Sequence, residues 1–171
     1  MGFNESKKWS DKFIPEIKQI LSKVFNVSED FIEVASFKDD TQYNTDLFIK
    51  PLRLRVSCRI RSYGCLKKYS DEFSIRSDRP SGVKSEYEKI KDGWGDINFY
   101  GIVNSDGTKL EHWIIGDLNA FRKYIKTLNK LPRKKYNRDG TSFYPFCYKG
   151  IPDFIIASSM DDKEKQRYLK Q

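Results

Sequence analysis

The sequence has few cysteines and a single histidine, and both shortages exclude kinds of site. The three cysteines, Cys58, Cys65 and Cys147, follow no regular spacing, and an odd count argues against a disulfide framework. The lone His112 leaves no Cys/His cluster with zinc-ligand spacing. We therefore expect no disulfide partner, and a chain of 171 residues is long enough to fold around a buried core.

Long apolar runs and nucleotide-binding glycine motifs are also missing. No stretch approaches the roughly 20 apolar residues of a membrane-spanning helix, and the polar residues 1–11 lack the apolar centre of a signal peptide. The glycines of Gly93-Trp94-Gly95 follow a predicted helix, whereas a phosphate-binding loop precedes one. These absences predict a cytoplasmic protein with no membrane partner.

Positive charge is present in excess. Lysine and arginine number 32 against 24 aspartates and glutamates, which gives a net charge of +8. This balance favours an anionic partner such as nucleic acid, although it also serves plain solubility.

Hydrophobic periodicity predicts an α/β (α+β) fold in one domain over residues 1–171. Helical spacing predicts helices over 7–25 and 118–129, and a capping box at Ser85 predicts a short third helix. Strand patterns occupy six further stretches: 31–37, 45–50, 52–61, 71–77, 97–103 and 111–115. We expect a central mixed β-sheet of about five to six strands flanked by helices. Its core would span about 7–128, followed by a basic and aromatic extension over 131–171.

The strand at 52–61 has the clearest pattern. Its apolar residues alternate with a polar series, namely Arg53, Arg55, Ser57, Arg59 and Arg61. Side chains alternate between the two faces of a strand, so one face would carry a row of four arginines. Such a row could engage phosphates through its guanidinium forks. It could instead form cross-strand ion pairs with acids on neighbouring strands, for which the candidates are Glu33, Asp46 and Glu72.

A second basic segment begins after Leu131. It contains four cations and is interleaved with aromatic residues: Arg133, Lys134, Lys135 and Arg138, with Tyr136, Phe143, Tyr144 and Tyr148. Cations beside aromatic rings are typical of proteins that bind single-stranded nucleic acid. The aromatic residues could equally fill the core. We predict that the arginine row and this loop bind nucleic acid.

Acidic residues gather around the entry to the second predicted strand. Asp39, Asp40 and Asp46 lie there, and Glu16 lies on the preceding helix. Metal-assisted hydrolysis of a phosphodiester needs two or three converging carboxylates to hold Mg²⁺. The acids therefore indicate a candidate magnesium site.

The order of helix, strands, helix and strands, with Asp46 at the start of the second strand, resembles the restriction-endonuclease-like core of PD-(D/E)XK nucleases. The resemblance implies Mg²⁺-assisted attack of water on a phosphodiester, with Asp46 as metal ligand and Glu16 assisting. The expected acid-x-Lys motif is absent from the next strand, where Ser57 and Arg59 stand. Other residues would have to complete the catalytic site, and the candidates are Glu72, Glu88 and Lys89.

The chain also resembles small proteins carried by phages and integrated elements, through Asn44-Thr45-Asp46-Leu47, the arginine-rich strand and Gly93-Trp94-Gly95-Asp96. Two functions follow as hypotheses. The first is a nuclease-like domain that binds nucleic acid, DNA rather than RNA, and uses Mg²⁺ if it is active. The second is a non-catalytic inhibitor that covers a host protein, and the absent acid-x-Lys motif favours it.

Overall fold

The computed structural model describes residues 8–65, 71–78, 82–137 and 140–159. The helices are α1 (Ile14–Phe25), α2 (Phe37–Tyr43), α3 (Glu86–Lys91) and α4 (Leu118–Thr127). The first four strands are β1 (Ile32–Val34), β2 (Leu47–Ile49), β3 (Leu54–Arg61) and β4 (Glu72–Asp78). The remaining strands are β5 (Ile97–Val103), β6 (Leu110–Asp117), β7 (Lys135–Tyr136), β8 (Ser142–Cys147) and β9 (Ile155–Ser158).

These strands form two sheets. Six of them make a central sheet in the order β1-β2-β3-β5-β6-β9, in which only β3 and β5 run parallel. The other three make a small antiparallel sheet in the order β4-β8-β7. The predicted fold class, a mixed sheet of about six strands flanked by helices, is confirmed, while a restriction-endonuclease-like core stays a prediction.

The two faces of the central sheet bury separate apolar clusters. On one face, Phe13, Ile17 and Leu21 of the α1 region pack with Val56 and Phe99 of the sheet. The other face is covered by α3, α4 and the small sheet. The cluster there contains the aromatic rings of Phe73, Phe121 and Phe146, together with Phe154, which immediately precedes β9. Full burial of each such ring is worth about 1.5–3 kcal/mol, so the small sheet is part of the core.

Several local predictions hold. Ser85 and Glu88 form the expected capping box at α3, and Asp117 caps α4 through the backbone amides of its first turn. The hairpin of β5 and β6 closes around residues 104–107, as its turn residues predicted. The three cysteines are free, and no helix within the described ranges is long and apolar enough to cross a membrane.

Other boundaries were wrong. The first helix does not run unbroken over 7–25, because a turn at 12–13 separates helical residues 8–11 from α1. The short helix α2 was missed, since it depends on a side-chain cap: Ser36 accepts a hydrogen bond from the Asp39 amide at 3.2 Å. The core does not end near residue 128. Phe146 and Phe154 are buried in it and β9 pairs with β6, so residues 142–158 belong to the core.

Gly116 offers a test of this packing. It lies on β6 opposite Asn98, and a Cβ atom at this position would overlap the ring of Phe154. We expect Gly116→Ala to lower the free energy of unfolding by about 1–3 kcal/mol, because the buried ring must move. Gly64→Ala is the matched control, since nothing lies within 4 Å of its added Cβ. Urea denaturation of both variants measures the difference, and equal stability would contradict the packing.

Candidate anion-binding surface

The predicted arginine row is shorter than the sequence indicated. Pro51 lies in a 3₁₀ turn, Lys50–Leu52, and Arg53 follows it in the left-handed region with φ of 54°. The strand therefore starts at Leu54, and Arg53 is an exposed residue outside the row. Ser57, in the middle of the row, is buried and accepts a hydrogen bond from Asn98 at 3.1 Å.

Arg55 is held by a single carboxylate. Its Nε and Nη2 donate to the two oxygens of Asp96 at 2.9 and 3.0 Å, and its backbone amide donates to Asp96 at 2.9 Å. Burial by itself would raise the pKa of Asp96, but these hydrogen bonds from Arg55 hold it below its ordinary value. Because Asp96 immediately precedes β5, this pair ties β3 to its parallel neighbour.

Arg59 lies between the two sheets. Its Nη1 donates to Oε2 of Glu86 at 2.6 Å, and its side chain is only 16% exposed. The same Glu86 oxygen accepts the backbone amide of Arg76 at 3.0 Å, so α3 covers the edge of β4 that no strand occupies. The pKa of Arg59 is lowered to about 10, mainly by desolvation. The charge of Glu86 opposes this fall, and the charges of Arg61 and Arg76 add to it.

Positive charge therefore exceeds negative charge at this point. Arg61 donates to the hydroxyl of Ser74, and in the described ranges neither Arg61 nor Arg76 forms an ion pair. Arg61 and Arg76 are close enough to Arg59 to lower its pKa, and Glu86 pairs with Arg59 alone among the three guanidinium groups. Within the described residues, the Nε atom of Arg59 is buried and has no hydrogen-bond partner. The excess of positive charge favours an incoming anion beside Arg61 and Arg76.

Arg76 also belongs to the outward face of the small sheet. Phe73 and Ile75 point into the core, so Ser74 and Arg76 point away from it. Arg76 pairs across the sheet with Phe143, and Phe143 pairs with Lys135. Residues paired in this way have Cβ atoms about 4.5–5.5 Å apart. The row Arg76-Phe143-Lys135 therefore places a half-buried aromatic ring between two cations, and we call it the small-sheet row.

The basic loop is largely neutralised by acids of the small sheet. Lys134 donates to Asp78 at 2.6 Å, and Lys135 lies 3.4 Å from Glu72. Arg133 is exposed, while Arg138 lies outside the described residues. Tyr136 is 74% exposed, but its partner is Ser142, which puts it on the opposite face from Phe143.

The predicted catalytic acids lie apart and have structural partners. Asp46 accepts the Cys58 amide at 2.6 Å, and Glu16 accepts the Leu110 amide at 3.1 Å. Cys58 and Leu110 lie on strands separated by β5, and the register puts them more than about 15 Å apart. Among the described residues, no three acids, cysteines or histidines are grouped to hold a metal ion. The described residues therefore do not bring Asp46 and Glu16 together, and their role as Mg²⁺ ligands stays a prediction.

The remaining catalytic candidates do not complete such a site. Glu88 accepts the Ser85 amide at 2.7 Å as part of the capping box of α3, and Glu72 lies on the small sheet beside Lys135. Lys89 is buried and donates to the carbonyl of Thr41, which joins α3 to α2. These contacts are those of residues that hold secondary structure in place.

No protein-family model and no curated protein matches the chain. The resemblance to PD-(D/E)XK nucleases therefore stays a prediction, and the site has to be judged by its own chemistry.

Sequence reasoning named Phe143 among the aromatic residues beside the cations, but it missed Arg76. A signal for Arg76 was present, because inward Phe73 and Ile75 imply outward neighbours on the same strand. The pairing of Arg76 with Phe143 had no comparable signal, since it depends on the register of strands separated by two helices and a hairpin.

The pair of Arg55 and Asp96 predicts a pH-dependent stability. We expect Asp96→Asn to lower the free energy of unfolding by about 1.5–3 kcal/mol at neutral pH, because a charged acceptor of three hydrogen bonds is lost. The pKa of Asp96 is depressed in the folded protein, so its contribution is complete above about pH 4. It is lost as the pH falls through the folded-state value, and the variant and the parent should then converge.

Denaturant titrations at several pH values measure this difference. Asp92→Asn is the matched control, because Asp92 pairs with Lys84 at the exposed surface, and surface pairs contribute about 0–1 kcal/mol. A loss of stability for Asp96→Asn that is the same at all pH values would contradict the assignment.

Proposed function

We propose that this protein binds single-stranded nucleic acid through Arg61 and the small-sheet row. The observation that carries the proposal is the excess of positive charge around Arg59, where Arg61 and Arg76 add their charge and form no ion pair in the described ranges, while Glu86 pairs with Arg59. A phosphate oxygen bound there would accept hydrogen bonds and reduce the repulsion between the arginines.

The ring of Phe143 favours a nucleic acid over a small anion. It lies between Arg76 and Lys135 in one cross-strand row, and its half-buried position fixes its orientation. A base that stacks on this ring would leave its flanking phosphates beside Arg76 and beside Lys135, whose partly exposed pair with Glu72 a phosphate would have to displace. Duplex DNA keeps its bases paired and stacked on each other, so this mode requires a single strand. DNA rather than RNA remains our choice of ligand.

Binding, and not hydrolysis, is the activity that the geometry supports. A Mg²⁺-dependent nuclease centred on Asp46 would need a second carboxylate near it, and the described ranges contain no such metal-binding group. If the protein cuts a plasmid with Mg²⁺ or Mn²⁺, and Asp46→Ala abolishes cutting, the proposal of binding alone is overturned. The three free cysteines accord with a reducing compartment, so we place the protein in the cytoplasm.

Replacement of Arg76 tests the phosphate contact. We expect Arg76→Gln to weaken binding of a fluorescein-labelled oligothymidine about tenfold, since a charge-assisted hydrogen bond is worth roughly 1.5–3 kcal/mol. The slope of log affinity against log salt should also fall by about 0.7. Fluorescence anisotropy at several salt concentrations measures both quantities.

Arg53→Gln is the matched control for this experiment. Arg53 is an exposed arginine that lies outside β3 and outside the small-sheet row, so its loss should change affinity little. Equal losses for Arg53→Gln and Arg76→Gln would indicate diffuse attraction to a basic protein and would rule out the assigned surface.

Replacement of Phe143 tests the aromatic contact. Phe143→Leu keeps an apolar side chain on β8 but removes the ring, and base–aromatic stacking is worth about 1–3 kcal/mol. We expect oligothymidine to bind about fivefold to a hundredfold more weakly. Affinity for a short duplex of equal charge should stay within about twofold of the parent. Equal losses for the single strand and the duplex would contradict stacking on this ring.

A further inference from the structure

The outer strand of the central sheet has an open edge. β1 pairs only with β2 among the described strands, and the Ala35 amide donates to the carbonyl of Asp46 at 2.9 Å. Hydrogen-bonded and non-hydrogen-bonded pairs alternate in an antiparallel ladder, so Glu33 and Ala35 face β2. The amide and carbonyl of Val34 and the carbonyl of Ile32 therefore point away from the sheet, where another strand could pair with them, while the Ile32 amide donates to the carbonyl of Glu29.

Large apolar side chains surround this open edge. Phe31 is 51% exposed, Val34 66% and Phe37 72%, and these residues lie immediately before, within and soon after β1. Leu52, which follows β2, is also exposed. Exposed rings beside an unpaired strand are a combination that proteins usually avoid unless the edge binds a partner.

A groove lies beside the strand on one face of the sheet. Glu33, Phe48 and Arg55 form one cross-strand row along it, and the rings of Tyr43 and Trp94 form a wall with their centroids 4.2 Å apart. Its volume is about 480 Å³, which is enough for a long side chain. Arg55 does not make the groove cationic, because Asp96 already neutralises it.

The charge around the edge is opposite to that of the whole protein. Residues 28–46 contain six acids and one lysine, in a chain whose net charge is +8: Glu29, Asp30, Glu33, Asp39, Asp40 and Asp46, with Lys38. Glu33 is bound to Lys50 in a half-exposed surface pair, and such pairs exchange readily for another cation. Tyr43 and Trp94 can also receive an ammonium or guanidinium group over their rings.

We propose that the open edge of β1 binds an extended, basic segment of another protein, which adds a strand beside Ile32 and Val34 and places a lysine or arginine in the groove. Backbone hydrogen bonds supply affinity in this mode, and the groove selects the side chain. The edge of β1 and its groove are independent of the nucleic-acid surface, because they involve a different strand, a different charge and a different ligand.

The test uses the full chain, labelled with ¹⁵N, and two short peptides that alternate valine with lysine or valine with glutamate. We expect the lysine peptide to shift the amide resonances of Ile32 and Val34 in a saturable manner. The glutamate peptide should bind at least about tenfold more weakly, because the acids around β1 repel it. If the lysine peptide leaves both resonances unchanged, or if both peptides bind equally, the proposal is overturned.

Two variants locate the contact. Val34→Pro removes one outward amide without removing a hydrogen bond between β1 and β2, and Glu33→Lys reverses one charge of the groove. Each should weaken the lysine peptide about tenfold or more. Glu111→Lys is the control for charge, since Glu111 is exposed on β6, and it should bind like the parent.

Two further readings complete the experiment. Both variants should keep the resonances of β5 and β6 and bind oligothymidine like the parent, which separates a failure here from a failure of the nucleic-acid proposal. Amide shifts of Ile32 and Val34 that depend on protein concentration without any peptide would assign the edge to a second copy of the chain, and would overturn a basic partner segment.

Discussion

The carboxylate of Glu86 is the contact on which the arrangement of the two sheets depends. It accepts Nη1 of Arg59, from the central sheet, and the amide of Arg76, from the edge of the small sheet. A buried guanidinium is costly without such a partner, and an unpaired strand edge exposes backbone groups to the same interior. The Glu86 side chain satisfies both the guanidinium and the strand edge. It lies on α3, which Ser85 and Glu88 start where the two sheets meet. The carboxylate of Glu86 does not neutralise all of the arginines near it.

The distribution of charge follows from this layering. Arg55 is held by Asp96 and Arg59 by Glu86 between the two sheets, so both are structural residues, while Arg61 contacts Ser74 of the small sheet. The acids that the sequence placed near a metal are spread over β2, α1, α3 and the small sheet. Negative charge instead collects along β1, at the opposite end of the strand order from β9. The molecule thus has two surfaces of opposite sign, and a separate ligand is proposed for each.

Local patterns in the sequence predicted local structure well. The alternation in 54–61, the capping box at Ser85, the turn at 104–107 and the cap at Asp117 each involve neighbours in the chain, and each is present. Two arginines of the row form ion pairs, as one of the two hypotheses stated. Their partners are Asp96 and Glu86, not Glu33, Asp46 or Glu72. Helix α2 escaped prediction because its seven residues show no apolar periodicity and rest on one capping hydroxyl.

The sequence by itself determined the fold class, the main strands and the surplus of positive charge, because these depend on composition and on spacings of a few residues. The tertiary structure alone decided which charges are neutralised. Arg59 and Glu86 are 27 residues apart in the chain and Arg55 and Asp96 are 41 apart, so no local pattern relates them. Their pairing depends on strand register and on how one sheet lies over the other. The free energy of a charge depends on the partner and the burial that it finds there.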